Sequence, residues 1–170
     1  MSSDEQLVSE AVRDPVSRAR YAFADDGDNL IVHCWLEPGG ALPPHWHPRQ
    51  TEHWSVVEGQ VRFRLGREKR VIAPEAGEIA VAPGTVHGLA STGHEARLQC
   101  RVEPGLRLRE FLEESAAAGH EGLFNRRGMP RGLRGIRWAA GFLKRYEDET
   151  VMLFPPRPVQ RLLIALRARD

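Results

Sequence analysis

The sequence predicts a mainly β domain, a sandwich or barrel, followed by a helical C-terminal extension. Three observations predict it. Residues 1–104 hold short alternating apolar runs separated by Gly, Pro and Asp-Gly turn signals, at the roughly 8–12-residue spacing of all-β folds. From residue 105 onward the apolar residues recur at helical spacing instead. The charge changes at the same place: residues 1–104 carry 11 basic and 15 acidic side chains, net −4, and residues 105–170 carry 13 and 8, net +5. The expected organisation is therefore a barrel over 1–104, with a short N-terminal segment, and an extension over 105–170.

The elements follow in order. Glu5–Val12 is predicted as a short helix with Ser3 or Asp4 as its cap. Arg20–Phe23 and Leu30–Leu36 read as strands, separated by Asp25-Asp26-Gly27-Asp28 and ended by Pro38-Gly39-Gly40. Trp54–Val57 runs into Glu58-Gly59, where glycine supplies the positive φ of a tight hairpin. Val61, Phe63 and Leu65 alternate with Arg62 and Arg64, the pattern of a half-buried strand. Ile79–Val81 stops at Pro83-Gly84, and Ala96, Leu98, Cys100 and Val102 alternate with Arg97, Gln99 and Arg101, which puts those polar residues on the solvent face. In the extension, Leu106–Ala118 is predicted helical and ends near Gly119. Leu133, Ile136, Ala140 and Leu143 define one helical face, and Val159, Leu162, Leu163 and Leu166 another, the latter after Pro155-Pro156 and Pro158.

Composition excludes several classes. With 170 residues, 41% hydrophobic and 28% charged, the chain can bury a core without disulfides and is neither disordered nor a coiled coil. No apolar run approaches the ~18–20 residues of a membrane span. The formal charge of +1 excludes bulk nucleic-acid binding. Cys34 and Cys100 are far apart and sit in alternating segments, so both are expected to be reduced and buried. With an acidic start that lacks an apolar signal core, they favour a cytoplasmic location.

The chemistry concentrates in Gly39–Gly59. His45 and His47 are two residues apart; on a strand both rings share a face at about 7 Å Cα spacing, close enough to converge on one ion. Glu52 follows a proline-containing turn, where a neighbouring strand can return a carboxylate to the same ion. Trp46 is expected to face away.

Gly39, His45, His47, Glu52 and Gly59 fit G(X)5HXH(X)3–4E(X)6G, and on them the chain resembles the cupin superfamily. The second cupin motif, G(X)5PXG(X)2H(X)3N, is represented by Gly77, Pro83, Gly84 and His87, one residue short, with Ser91 where Asn is usual. The resemblance covers roughly residues 20–104 and implies a double-stranded β-helix, or jelly-roll, barrel. It also implies that His45, His47, Glu52 and His87 hold one divalent transition metal (Fe, Mn, Ni, Co or Zn).

This resemblance implies a metal-dependent enzyme acting on a small oxygen-rich or aromatic molecule, of dioxygenase, isomerase or cyclase type. Glu52 would serve as ligand or proton shuttle, and Trp54 as a wall of the substrate pocket or plain core. The alternative is a non-catalytic, metal-bearing module that binds or senses a small molecule. His53 is expected to point outward, and His33, His94 and His120 have no ligand spacing. The apolar faces of the extension must be covered, as a lid on the barrel or in a homodimer. Arg126, Arg127, Arg131, Arg134, Arg137, Lys144 and Arg145 are expected to be solvated or paired with the acidic barrel, an anionic surface docked on 126–145 being the alternative. Neither nucleic acid nor membrane is otherwise expected as a partner.

Overall fold

In the computed structural model, residues 3–153 and 156–167 are described. They form α1 (Ser3–Glu10), β1 (Val12–Asp14), β2 (Ala19–Asp26), β3 (Asn29–Leu36), β4 (Ala41–Trp46), β5 (Thr51–Glu58), β6 (Val61–Leu65), β7 (Glu68–Ile72), β8 (Ile79–Val81), β9 (His87–Ser91), β10 (Ala96–Glu103), α2 (Leu108–His120), α3 (Gly132–Arg145), β11 (Val151–Met152) and α4 (Arg157–Arg167). One sheet has the order β1-β2-β3-β10-β5-β8 and the other β11-β4-β9-β6-β7. All the pairings are antiparallel. This is the mainly β, double-stranded β-helix architecture with C-terminal helices that the sequence predicts.

The core lies between the sheets. Cys34, Leu36, Leu98, Cys100 and Val102 from the first sheet meet Val61, Phe63 and Leu89 from the second in one buried cluster. Each large apolar side chain removed from water there contributes about 1.5–3 kcal/mol. Along β10 burial alternates strictly, with Arg97, Gln99 and Arg101 on the half-exposed face, as the alternation predicts. The β5–β6 turn holds Gly59 at φ +75°, and a Cβ there would lie 2.7 Å from the Glu95 carbonyl oxygen, so glycine is required twice over.

Four strands, β1, β7, β9 and β11, were not legible as strands. In β7 the first four residues, Glu68-Lys69-Arg70-Val71, are exposed, a charged edge with no alternation to read. In β9 four of five residues are buried on both faces, which removes the alternation as well. The N-terminal helix ends at Glu10, earlier than predicted, because Val12 pairs with Tyr21 in β1–β2. The side chains of its expected caps, Ser3 and Asp4, lie outside the described residues.

The extension is built onto the barrel. Leu108 of α2 joins the barrel core, Arg109 pairs with Asp25 at 2.9 Å, and the His120 ring meets the Arg13 carbonyl at 2.8 Å. At the far end, β11 pairs with β4, Val151 opposite Trp46 and Met152 opposite His45.

Within α3 the predicted face holds for its second half, with Ala140 buried and Leu143 half-buried, and fails for its first. Leu133 and Ile136 are exposed, and the buried residues are Gly135, Ala140, Gly141 and Phe142. The reason is an aromatic seam at i, i+4, i+8: Trp138 stacks on Phe142 at 4.7 Å, and Phe142 meets Tyr146 at 5.0 Å and Phe111 of α2 at 4.8 Å. In α4, Val159 and Leu162 are exposed; Pro155 and the side chains of Leu163 and Leu166 lie outside the described residues. Three residues of the basic stretch pair within the extension: Arg134 with Glu121, Arg145 with Glu114 and Lys144 with Glu147. No described helix is long and apolar enough to cross a membrane.

Candidate metal centre

The centre is assembled from both sheets. β4 and β9 pair as Ala41 to Ala90 and Leu42 to Leu89; the register then slips, so that His45 faces His87 directly. The slip falls on Pro43-Pro44, which carry no N–H for the ladder and tolerate an extra, bulged residue. His47 follows immediately after β4. Glu52 comes from β5 in the other sheet, paired with Val81 and Val102. The four ligand atoms of His45, His47, Glu52 and His87 all lie within 4.8 Å of one another. Sequence spacing thus places all four candidates together, and the shortened second motif still delivers His87. Ser91 lies elsewhere: its hydroxyl donates to the His94 carbonyl and accepts from the Gly93 N–H, closing the turn after β9.

Each imidazole has its Nδ1 set against a carbonyl: His45 against Pro43 at 2.8 Å, His87 against Thr85 at 3.0 Å, His47 against Glu149 at 2.8 Å. A neutral ring whose Nδ1–H donates there has a lone pair at Nε2. His47 Nε2 lies 3.1 Å from Glu52 Oε1, and His87 Nε2 lies 2.8 Å from Oε2. Among the described residues both Nε2 atoms are nevertheless buried without a hydrogen-bond partner. Lone pairs directed at a carboxylate require a proton or a cation between them, which is the condition of a metal ligand set. Three neutral nitrogen donors and one carboxylate suit a divalent transition ion, so these residues fit such an ion.

The electrostatics agree. Burial, then the neighbouring His87 and His47 rings, push His45 down to about 3, keeping it neutral. Burial also disfavours charge on His47, but the Glu52 carboxylate outweighs it and the net direction is upward. Burial alone would raise Glu52, yet His47 and His87 hold it well below the usual carboxylate range. His47, Glu52 and His87 are buried, whereas His45 is half-buried, so the approach to the centre lies on the His45 side.

Trp54 is buried, and its Nε1–H donates to Glu52 Oε2 at 2.7 Å. It therefore orients the carboxylate as well as filling core. His53 points outward to Glu78 at 2.9 Å. His33, His94 and His120 are not in the cluster, and Trp46 pairs with Val151 on the outer side of β4. Hollows of ≈ 230 Å³ beside Thr150 and Gln160, and of ≈ 480 Å³ over Leu42, Arg62 and Val71, are not lined by any of the four ligands.

Sequence reasoning missed four residues. Gln50 is 1% exposed; its amide nitrogen donates to the Pro104 and Gly105 carbonyls and its Oε1 has no partner. Its parity with Glu52 was the available signal. Glu149 and Thr150, which meet His47 Nδ1 at 2.8 and 3.3 Å, and Arg107, which grips Glu149, had no sequence signal at a separation of some hundred residues.

Comparison with known proteins bears on the barrel. Residues 32–101 match the family described as Cupin domain. An oxidoreductase of Arthrobotrys oligospora is 38% identical over 58 residues, 34% of this chain and 23% of that protein. Germin-like protein 5-1 of Oryza sativa subsp. japonica is 39% identical over 66 residues, 35% of this chain and 29% of that protein. The chain spans less than a third of the length of either relative. Among solved structures, an RmlC-like cupin from Shewanella frigidimarina superposes with a TM-score of 0.55 at 21% identity, over 64% of this chain and 94% of that one. A protein with a double-stranded β-helix domain from Klebsiella pneumoniae subsp. pneumoniae gives 0.51 at 22%, over 62% and 90%. These last two likenesses speak for the fold alone.

Proposed function

We propose that this chain, which belongs to the cupin superfamily, is a metal-dependent enzyme acting on a small oxygen-rich or aromatic molecule, with oxidoreductase chemistry favoured over isomerisation or cyclisation. The observation that carries the reading is the set of three Nδ1-anchored imidazoles directed at one buried carboxylate. A bound first-row divalent ion would supply Lewis acidity toward a substrate oxygen and, as iron or manganese, electron transfer. His45, His47 and His87 hold the site, and burial keeps bulk water away. Glu52 supplies the negative charge and is the nearest group for moving a proton; Trp54 keeps its Oε2 in place. The oxidoreductase branch is supported by the relative from Arthrobotrys oligospora and by a second from Aspergillus clavatus, both named as oxidoreductases.

The test is anaerobic loading of tag-free protein with Fe(II), metal analysis, and electron paramagnetic resonance after adding nitric oxide, with and without catechols and enolisable diketones. Stoichiometric iron and a nitric oxide signal altered by one ligand class are expected. A loaded centre with no signal would exclude the oxygen-using branch, and no loading with any first-row ion would overturn the metal-centre reading.

A further inference from the structure

His47 is held differently from the other two imidazoles. His45 and His87 anchor Nδ1 on carbonyls two residues earlier in the chain, Pro43 and Thr85. His47 anchors on the Glu149 carbonyl, 102 residues away, with the Thr150 hydroxyl at 3.3 Å beside it. Its orientation therefore depends on a segment outside the matched barrel.

That segment is clamped by one residue. The Arg107 Nε donates to Glu149 Oε1 at 2.6 Å and the Arg107 backbone N–H to Oε2 at 2.8 Å, so both carboxylate oxygens are committed. Arg107 Nη2 donates to the Arg145 carbonyl at 2.7 Å, and its guanidinium lies 5.0 Å from the Tyr146 ring. The preceding residue, Leu106, sits at φ +47°, a left-handed conformation that a leucine adopts only when its surroundings impose it. Gln50 fixes the same chain reversal by donating to Pro104 and Gly105. The Glu149 side chain is 5% exposed and the Arg107 side chain 44%, so the carboxylate is buried while the guanidinium is partly open to solvent, and the clamp rests on its two-point hydrogen-bond geometry more than on charge.

We propose that Arg107 and Glu149 are positioning residues for the metal ligand His47, so that docking of the 146–153 segment and metal binding are coupled. Coupling of this kind is reciprocal: whatever tightens the segment tightens the metal, and the metal tightens the segment to the same degree. The inference rests on the metal-centre reading above.

The experiment measures Co(II) affinity by chelator competition, together with the ligand-field spectrum, for the full chain and for Arg107→Ala, Glu149→Gln and the control Arg134→Ala. Arg134 pairs with Glu121 on the exposed surface of the same extension. In Glu149→Gln the shape is kept, but one of the two Arg107 donors meets an amide nitrogen in place of an oxygen. Orienting partners of ligating histidines are worth roughly 10–100-fold in affinity. Arg107→Ala and Glu149→Gln should therefore weaken Co(II) by about tenfold or more and shift the spectrum, with Arg134→Ala unchanged. In metal-free protein, at a pH above the titration of His47 so that its ring is neutral, long-range ¹H–¹⁵N spectra should show the His47 tautomer becoming mixed in both variants while His45 and His87 keep theirs. Affinities within twofold of the parent in folded variants, or equal change at all three imidazoles, would overturn the proposal. Should Arg107→Ala not fold, Glu149→Gln decides. Should the parent bind no metal, the metal-centre reading fails on its own, and the tautomer measurement still decides the positioning role.

Discussion

The substitution Glu52→Gln should move stability and metal affinity in opposite directions. In the metal-free protein the carboxylate faces two Nε2 atoms at 3.1 and 2.8 Å that have no hydrogen-bond partner among the described residues. Each buried group of this kind costs about 1–3 kcal/mol. With the amide oxygen at the Oε2 position, still accepting from Trp54 Nε1 at 2.7 Å, the introduced amide nitrogen falls at the Oε1 position and donates to His47 Nε2, so one of the two lone pairs gains a proton while His87 Nε2 still faces an oxygen. At a pH above the raised titration of His47, where its ring is neutral, a net gain of about 1–3 kcal/mol follows, or about 2–4 °C in Tm per kcal/mol for a chain of this size. For the metal the sign reverses. A divalent ion about 2.1 Å from a carboxylate oxygen is attracted by about 16 kcal/mol gross at an effective dielectric of about 20. If a sixth of that survives desolvation, the variant binds about a hundredfold more weakly. Urea denaturation of chelator-treated protein gives the first quantity and chelator competition the second. A metal-free variant less stable than the parent by more than about 1 kcal/mol, or one with unchanged affinity, would refute the lone-pair argument.

The other predictions concern protons, packing and thiols. At a pH below the raised titration of His47, metal uptake should release about one proton, because His47 must then lose its proton, whereas His45, at about 3, is already neutral. Calorimetry in buffers of different ionisation enthalpy measures this, and affinity should rise with pH until His47 is deprotonated. In the metal-free protein the raised His47 contributes stability that is present below its unfolded value and lost as pH rises through its folded one. The lowered Glu52 contributes stability present above its ordinary range and lost as pH falls through its folded value. Gly88→Ala would bring a Cβ to 2.9 Å from the Leu42 carbonyl and 3.2 Å from Pro44. A loss of about 1–3 kcal/mol is expected in urea titration, with weaker metal binding because His45 and His87 share that register. Burial pushes the Cys34 thiol up to about 12 and Cys100 well above its usual range, so iodoacetamide should label neither until the protein unfolds, as mass spectrometry would show.

The barrel and the ligands His45, His47 and Glu52 were legible because they obey local rules, whereas His87 followed only from the resemblance to the cupin motifs. The His45-x-His47 pair needs only the two-residue period of a strand, and the alternation of Ala96 to Val102 fixes the face of β10 without knowledge of its neighbours. The shortfall in the second motif did not matter, because His87 is placed by pairing with His45 across β4 and β9, not by its distance from Gly77. Long-range effects were hidden. The first half of the helical face of α3 was misassigned because Leu133 and Ile136 satisfy the period but lie off the aromatic seam that Trp138, Phe142 and Tyr146 form with Phe111. The support for His47 was hidden for the same reason: it uses a backbone carbonyl, which leaves no mark on side-chain identity.

The two-residue strand β11 lies on the outer side of β4, with Leu153 N–H donating to the Pro44 carbonyl at 3.0 Å. Without it, the strand bearing His45 would become the rim of its sheet, with unpaired carbonyls open to any passing polypeptide. The segment that steadies His47 through Glu149 and Thr150 thus also covers the edge of β4 through Val151, Met152 and Leu153. Loosening of this clasp should appear as oligomers in solution as well as a weakened centre, and the two symptoms should rise and fall together.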